Sequence, residues 1–354
     1  MPNQKLPHPP TIAIVGPTGL VGNEALQILA ERNHPSAHIH CYGSPRSVGK
    51  HIDYQRTQLP IKPLDQITTD AIACSIDYAL LCADGPTAIK ARDLLAHTQT
   101  AIIDNSSAFR MAPDVPLVIP EINAHLLSPR PRIVANPNCS TIMLLAALAP
   151  IREALTINSI QLTTYQAVSG AGKAALAELR DQTQAYLDGQ VTPPSVFPTP
   201  CAFNVFEHES PIDPATGFNG EETKIIQESR RICNDPNLQI FPTCVRVPVE
   251  RAHAQSIVIE LDAPTTADQL RSLLNRPGIK LSDPGSPLTP RDAANQDDIH
   301  IGRIRIDPSS NHRRAALWIS ADQIRKGAAL NAIQIMDTLH SGNTSQYQTS
   351  QAMV

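Results

Sequence analysis

At 354 residues the chain exceeds one ordinary hydrophobic core, so two domains are expected. Hydrophobic residues at 42% and charged residues at 18% strike a soluble globular balance, against a disordered chain or a membrane protein. The formal net charge of -4 argues against nucleic acid as the main partner, and no apolar run approaches a membrane span.

Residues 1–10 are polar and proline-rich without an apolar core, which suits neither a signal peptide nor a transit peptide. Thr11-Ile12-Ala13-Ile14-Val15 is a continuous apolar, β-branched run that predicts a buried parallel strand. Gly16-Pro17-Thr18-Gly19-Leu20-Val21-Gly22 follows at once, and Asn23 to Arg32 carries helical spacing through Ala25, Leu26, Ile28 and Leu29. Strand, glycine turn and helix in this order bring bare backbone N–H groups to a helix N-terminus, where a pyrophosphate binds. A tight turn with no ligand has the same order. His38 to Gly43 predicts the second strand, and its end lacks the acidic residue of NAD-type sites. Ser44-Pro45-Arg46-Ser47 stands there instead, an arginine and hydroxyls that suit a 2′-phosphate and so predict NADP, although a solvated surface loop has the same residues.

Tyr78 to Ala83 predicts another buried strand, Ala88 to His97 a helix, and Ala101 to Asp104 the next strand, which opens into Asn105-Ser106-Ser107-Ala108-Phe109-Arg110. A polar loop at the carboxyl end of a parallel strand is where open α/β sheets bind ligands, so Arg110 is a candidate phosphate ligand, beside the commoner reading of a surface arginine on a loop. Arg132 to Ala135 reads as a short strand, interrupted by Asn136-Pro137-Asn138 before Cys139-Ser140-Thr141 and an apolar helix from Ile142. Ser140 and Thr141 are expected as caps, with Cys139 at the helix N-terminus. A thiol there meets unpaired N–H groups and the positive end of the helix dipole, which favour the thiolate. A free cysteine is also commonly a small buried hydrophobe, and the local sequence leaves both readings open. None of the seven cysteines forms a CxxC pair, which predicts free thiols in a reducing, cytoplasmic compartment and no metal site.

Ser159 to Val168 has period-two patterning, as in a mixed or antiparallel strand with one covered face. Ser169-Gly170-Ala171-Gly172-Lys173 leads into a helix from Ala174 to about Leu187, and Val191 to Pro214 predicts a long ordered loop. Glu221-Glu222-Thr223-Lys224 begins a helix running through Ile232, where acidic residues also suit the dipole alone. Thr243 to Val249 and Ala254 to Leu261 predict two strands flanking Glu250-Arg251-Ala252-His253. Arg246 and His253 are then expected on neighbouring strands, pointing the same way. A helix over Thr266 to Asn275, a strand over Ala315 to Ile319 and a final helix over Gly327 to Met336 complete the chain before a polar tail from Ser341, expected to be disordered.

GPTGLVG at 16–22, PRSVGK at 45–50, DNSSAFR at 104–110, NPNCST at 136–141, YQAVSGAGK at 165–173, NGEETK at 219–224, RVPVERAH at 246–253 and KGAALNAIQI at 326–335 together resemble the aspartate-semialdehyde dehydrogenase family, from Thr11 to about Leu339. The resemblance implies an α/β fold: a Rossmann-type NADP-binding domain over 9–138 and 323–341, and an α+β catalytic and dimerisation domain with a mixed sheet over 139–322. Residues 1–8 and 342–354 would be disordered ends. It implies NADPH-dependent reductive dephosphorylation of L-aspartyl 4-phosphate to L-aspartate 4-semialdehyde through a cysteine thioester, toward lysine, threonine and methionine, in a homodimer. By the same resemblance Cys139 is the nucleophile, His253 the acid–base catalyst and Gln166 the group that orients the acyl intermediate. Arg246 would grip the substrate α-carboxylate, Glu221 the α-amino group, and Lys224 and Arg110 the phosphate. Gly16, Thr18, Gly19, Leu20, Val21, Gly22, Arg46, Ser47, Ser169, Gly170 and Asn331 would contact the cofactor. Cys82-Ala83-Asp84-Gly85-Pro86 departs from the glycine- and serine-rich version of its loop, and the proline-rich 191–200 stretch offers no legible chemistry.

Two other readings compete. N-acetyl-γ-glutamyl-phosphate reductase shares the acyl-phosphate chemistry, but typically has Gly where Asn138 stands, and its substrate lacks the amino group that Glu221 would meet. A non-catalytic dinucleotide-binding homologue would be expected to lose Cys139 or His253, and both are present. The segments between Ser159 and Leu261 supply more strand than helix, so the second sheet needs another surface to bury it, again pointing to a dimer.

Overall fold

The computed structural model describes residues 8–344, so the disorder expected at both ends falls almost wholly outside the described residues. The chain divides into two units, one running to Asn138 and resuming at Ala328, the other spanning Cys139–Gly327.

The first unit is built on strands β1 (Ile12–Val15), β2 (Ile39–Gly43), β3 (His51–Tyr54), β4 (Thr57–Pro63), β5 (Tyr78–Leu81), β6 (Ala101–Asp104) and β7 (Ile133–Ala135). They form one sheet in the order β3-β4-β2-β1-β5-β6-β7. Only the β3–β4 hairpin at one edge is antiparallel. Every residue of β1, β5 and β6 is buried, as unbroken apolar runs require when helices cover both faces of a parallel strand. Its helices before residue 139 are α1 (Leu20–Glu31), α2 (Ile67–Ala73), α3 (Gly85–Leu95) and α4 (Pro120–Asn123). The β3–β4 hairpin and α2 are absent from the sequence-based expectation. Asp84 accepts the Thr87 backbone N–H at 3.0 Å, so α3 starts three residues earlier than its apolar spacing suggests.

In the second unit, α5 (Cys139–Ala154), β8 (Ile157–Ala167), α6 (Lys173–Leu187), β9 (Phe206–Glu207), α7 (Gly220–Ile232), β10 (Gln239–Val247), β11 (His253–Leu261), α8 (Ala267–Leu274), β12 (Ile279–Leu281), α9 (Pro290–Ala293), β13 (Ile299–Asp307) and β14 (Arg314–Ala321) follow in order. The sheet order is β12-β13-β14-β11-β8-β10-β9, with β10 parallel to β8 and β12 parallel to β13. Burial alternates along the central strands. Ile160, Leu162, Thr164 and Gln166 on β8, and Ile240, Cys244 and Arg246 on β10, are buried, while Gln161 and Phe241 are exposed. Helices α5, α7 and α8 pack on the buried face. Beyond β14 a π-helical turn, Arg325–Leu330, runs into α10 (Asn331–Ser341), where a single helix from Gly327 was expected.

The glycine turn after β1 separates packing from binding. A Cβ on Gly22 would lie 2.3 Å from the Gly16 carbonyl oxygen, and one on Gly16, where φ is +85°, would lie 2.6 Å from the Cys82 carbonyl oxygen. Gly19 has an ordinary φ of -69° and room for a Cβ at 3.4 Å from its nearest neighbour. Gly22→Ala is therefore expected to cost about 1–3 kcal/mol by overpacking, and Gly19→Ala less than about 1 kcal/mol as a changed N-cap. Chemical denaturation of the two variants checks the order, and equal losses would contradict it.

Candidate active site

The site in the second unit grows from the first turn of α5. The helix begins at Cys139 itself, so Ser140 and Thr141 are first-turn residues and not the caps expected from their side chains. Ser140 is buried because it has work inside: its hydroxyl accepts from Gln166 Nε2 at 2.8 Å and its carbonyl from Gln255 Nε2 at 2.9 Å. Cys139 is half-buried, and Gly327 lies so close that a Cβ there would stand 2.9 Å from the Cys139 Cβ. Burial pushes the Cys41 and Cys82 thiols up to about 12, and those of Cys201, Cys233 and Cys244 upward as well.

The end of β8 carries the rest. Arg246 and His253 are not on neighbouring strands as expected; β8 lies between β10 and β11, and each residue reaches it from its own side. The Ala167 backbone joins them. Its N–H donates to His253 Nδ1 at 2.9 Å, and its carbonyl accepts from Arg246 Nη1 at 3.0 Å. Both then converge on Gly170, where a Cβ would lie 3.2 Å from Arg246 Nη1 and 3.3 Å from His253 Nε2. Glycine is what leaves this corner open. Next to His253, Ala252 has a left-handed φ of +68°, a conformation costing about 1–2 kcal/mol in an alanine, and its N–H is held by Gln323 Oε1 at 2.8 Å. The Gln323 amide reaches on to the Ser169 hydroxyl at 2.7 Å.

A backbone N–H can only donate, so His253 Nδ1 is the unprotonated nitrogen and the neutral ring carries its proton on Nε2. Nε2 is buried with no hydrogen-bond partner among the described residues. Burial, then the Arg246 charge, push this imidazole from 6.5 down to about 3, against a smaller opposing pull from Glu221. The ring is therefore neutral throughout the physiological range. An unfolded chain takes up this proton near pH 6.5 and the folded one near 3, so the group's share of stability is lost as pH falls between those values.

Asn219 caps α7 through its side chain and Glu222 returns the bond, accepting the Asn219 N–H at 2.9 Å. Glu222 also accepts the Cys244 N–H, which makes it structural. Glu221 is freed from capping and turns inward, accepting from Gln166 Nε2 at 3.1 Å and pairing with Lys224 at 3.2 Å. Gln166 thus ties the Cys139 helix to the Glu221 helix. Arg246, 2% exposed, sends Nε and Nη2 to the Glu209 carboxylate at 3.2 and 2.6 Å and a further Nη2 bond to His208 Nε2 at 3.0 Å.

The proline-rich loop has a structural reason. Glu178 accepts from Ser195 N at 2.8 Å, Ser195 Oγ at 2.6 Å and Val196 N at 2.5 Å, while Gln182 accepts from Cys201 N at 2.8 Å. This tethering brings the Phe197 ring to 5.5 Å from the Arg246 guanidinium carbon, a cation–π distance. His208, Glu209, Phe197, Gln255, Gln323 and Gly327 were not singled out from the sequence. Their roles come from long-range packing, and only the glycine carried a local signal, in KGAALN.

The first unit holds the other residues. Helix α1 follows Gly19 with no side-chain cap, so its first-turn N–H groups, beginning at Leu20 and Val21, are available to an anion. The Thr18 and Ser47 hydroxyls are 3.5 Å apart, with Arg46 exposed beside them. At the ends of β6 and β7, Asn331 Nδ2 donates to Asn136 Oδ1 at 2.7 Å and Asn136 Nδ2 to Asn105 Oδ1 at 2.9 Å. Arg110 donates to the Asn136 and Asn105 carbonyls at 3.0 Å each. Asn331 Oδ1 is buried without a partner among the described residues, as an acceptor reserved for an amide would be. An uncapped helix, a glycine that packing does not require and an orphaned amide oxygen fit a nicotinamide dinucleotide.

Comparison with known proteins agrees with this geometry. Residues 11–129 match a family model described as semialdehyde dehydrogenase, NAD binding domain, and residues 148–326 one described as semialdehyde dehydrogenase, dimerisation domain. An aspartate-semialdehyde dehydrogenase of Synechocystis sp. is 41% identical, the match covering 94% of this chain and 98% of the relative. A structure of aspartate semialdehyde dehydrogenase II from Vibrio cholerae, complexed with ASA, superposes with a TM-score of 0.87 at 37% identity over 94% of this chain and 98% of the other. No helix among the described residues is long and apolar enough to cross a membrane.

The His253 tautomer can be read directly. Nitrogen-15 correlation spectra should show the neutral Nε2–H form at both pH 7 and pH 5. A proton on Nδ1, or an imidazolium at pH 5, would contradict the Ala167 hydrogen bond.

Proposed function

The chain belongs to the aspartate-semialdehyde dehydrogenase family, and on that footing we propose that it carries out the NADPH-dependent reductive dephosphorylation of L-aspartyl 4-phosphate to L-aspartate 4-semialdehyde. The observation that carries the reading is the convergence on one strand end: Gln166 and Ala167 of β8 connect the Cys139 helix, Glu221, Arg246 and His253. Cys139 attacks the acyl carbon as a thiolate, the C–S bond forms, and phosphate leaves with the electron pair of its C–O bond. The reduced nicotinamide, when bound, supplies a hydride to the resulting thioester. Return of the electrons to sulfur then releases the aldehyde.

His253 serves this sequence as a neutral donor. Accepting the thiol proton would require a bare Nε2, which the Ala167 N–H disfavours, so of the acid–base role that the family resemblance implies this hydrogen bond supports the acid half. Its Nε2–H instead suits the negative charge that grows on the acyl oxygen, as a neutral imidazole electrophile does. Arg246 meets the α-carboxylate, Glu221 the α-amino group, and Lys224 and Arg110 the phosphate. Glu221 supports the choice of substrate over the acylated one of the N-acetyl-γ-glutamyl-phosphate reductases, because an acylated nitrogen has no positive charge to offer it.

Arg46 and the Thr18–Ser47 hydroxyls support NADP as the cofactor. Assembly as a homodimer is supported by the dimerisation-domain match and by exposed apolar side chains on the second unit, including Tyr186, Leu187, Phe203 and Phe241. The seven free cysteines favour a reducing cytoplasm.

The test is phosphate-dependent reduction of NADP with aspartate semialdehyde. Cys139→Ser is expected to abolish it while leaving cofactor binding and the folded spectrum intact; appreciable turnover would remove Cys139 as nucleophile. Arg46→Glu should weaken NADP binding by about 1.5–3 kcal/mol, with NAD much less affected. Equal losses for both cofactors would place Arg46 outside the ribose site.

A further inference from the structure

The Arg246 fork is already filled. A guanidinium presents its Nε and Nη2 edge to a carboxylate as a two-pronged donor, and here that edge faces Glu209 at 3.2 and 2.6 Å. The Nη1 end is committed to the Ala167 carbonyl at 3.0 Å. A substrate carboxylate and Glu209 therefore seek the same place. The two partners differ in mobility of setting: the Arg246 side chain is 2% exposed and pinned by Ala167 and Phe197, whereas Glu209 lies between β9 and α7 with its side chain 23% exposed. The acid has a route to water and the base does not. Burial alone would raise the Glu209 carboxyl pKa, yet the hydrogen bond and charge of Arg246 bring it below the ordinary carboxylate value.

We propose that Glu209 is an internal stand-in for the substrate α-carboxylate, closing the Arg246 fork in the free enzyme and yielding it on binding, and so a residue that sets the apparent affinity for the substrate. The inference rests on the reading of Arg246 as the α-carboxylate ligand. Removing the counter-ion of a buried guanidinium is strongly unfavourable, so an exchange of carboxylate for carboxylate keeps Arg246 paired at both ends of the process. An aldehyde without an α-carboxylate places nothing in the fork and leaves Glu209 where it is, so only the carboxylate-bearing substrate meets this exchange. The arrangement lowers apparent affinity: if the fork is open in about a tenth of the molecules, KM is raised about tenfold.

The experiment compares Glu209→Gln with the unmodified enzyme in the phosphate-dependent reaction, using aspartate semialdehyde and 3-aminopropanal, the same aldehyde without its carboxylate. The amide competes poorly for the fork, so KM for aspartate semialdehyde should fall about 5- to 10-fold with kcat within about twofold, while KM for 3-aminopropanal, which places nothing in the fork, should stay within about twofold. An unchanged or raised KM would overturn the proposal and make Glu209 a supporting partner of Arg246. If Glu209→Gln does not fold, Glu209→Asp keeps the charge but draws it back from the fork; its KM must fall too, and a rise overturns the proposal. An unmodified enzyme inactive on aspartate semialdehyde would instead sink the functional reading itself, and the stand-in with it.

Discussion

The backbone of one residue, Ala167, organises the chemistry. The amide between Gln166 and Ala167, at the end of β8, gives its N–H to His253 and Ala167 its carbonyl to Arg246, so one strand end sets the imidazole tautomer and one end of the guanidinium. Because β8 is the central strand between β10 and β11, this end cannot shift without breaking ladders on both sides. The side chain just before, Gln166, extends the same rigidity to the nucleophile helix and to α7. Precision at the site thus comes from backbone that the sheet already holds, which is the most dependable support a protein can offer.

Around that peptide the unit buries charge at a density that needs explaining. Arg246, Glu221, Glu222 and Asp322 are all nearly or wholly hidden from water. Each has a defined partner: Glu209 for Arg246, Lys224 for Glu221, the capped α7 N-terminus for Glu222, and Arg251 with the Asn295, Ile324 and Arg325 amides for Asp322. His253 is the exception, kept neutral by the same burial that the ions overcome by pairing. A neutral donor among paired charges is an environment in which a developing oxyanion is met without reorganising water.

The parallel sheet was legible because its signals are local. Short apolar runs such as Ile12–Val15 and Ala101–Ile103, bounded by turn and polar residues, read as strands covered on both faces, and the glycine turn follows one of them directly. Cys139 was legible as a helix start for the same reason. The β3–β4 hairpin was missed because His51 to Pro63 mixes prolines and charges on an exposed edge, where no covered face enforces alternation. The partition of Glu221 and Glu222 was also invisible, since adjacent glutamates in a first turn look alike until one is seen to close the capping box. Strand order was the largest gap. Arg246 and His253 are close in sequence, which suggests adjacent strands, but a parallel crossover puts β8 between them, and nothing local in Val247 to Ala252 announces that.

The tether of the proline-rich loop has an evolutionary reading. Glu178 and Gln182 are one helical turn apart on α6, and they catch backbone amides at 195–197 and 201–202. Backbone amides are the same whatever side chain they carry, so the sequence between those anchors is free to drift, and so is the stretch before Ser195. Only the Phe197 ring is spent on the site. A lineage can therefore lengthen, shorten or rewrite this loop while two helical side chains keep its one working residue over the arginine, and the loop becomes a place where new surface is tried without touching the chemistry beneath it.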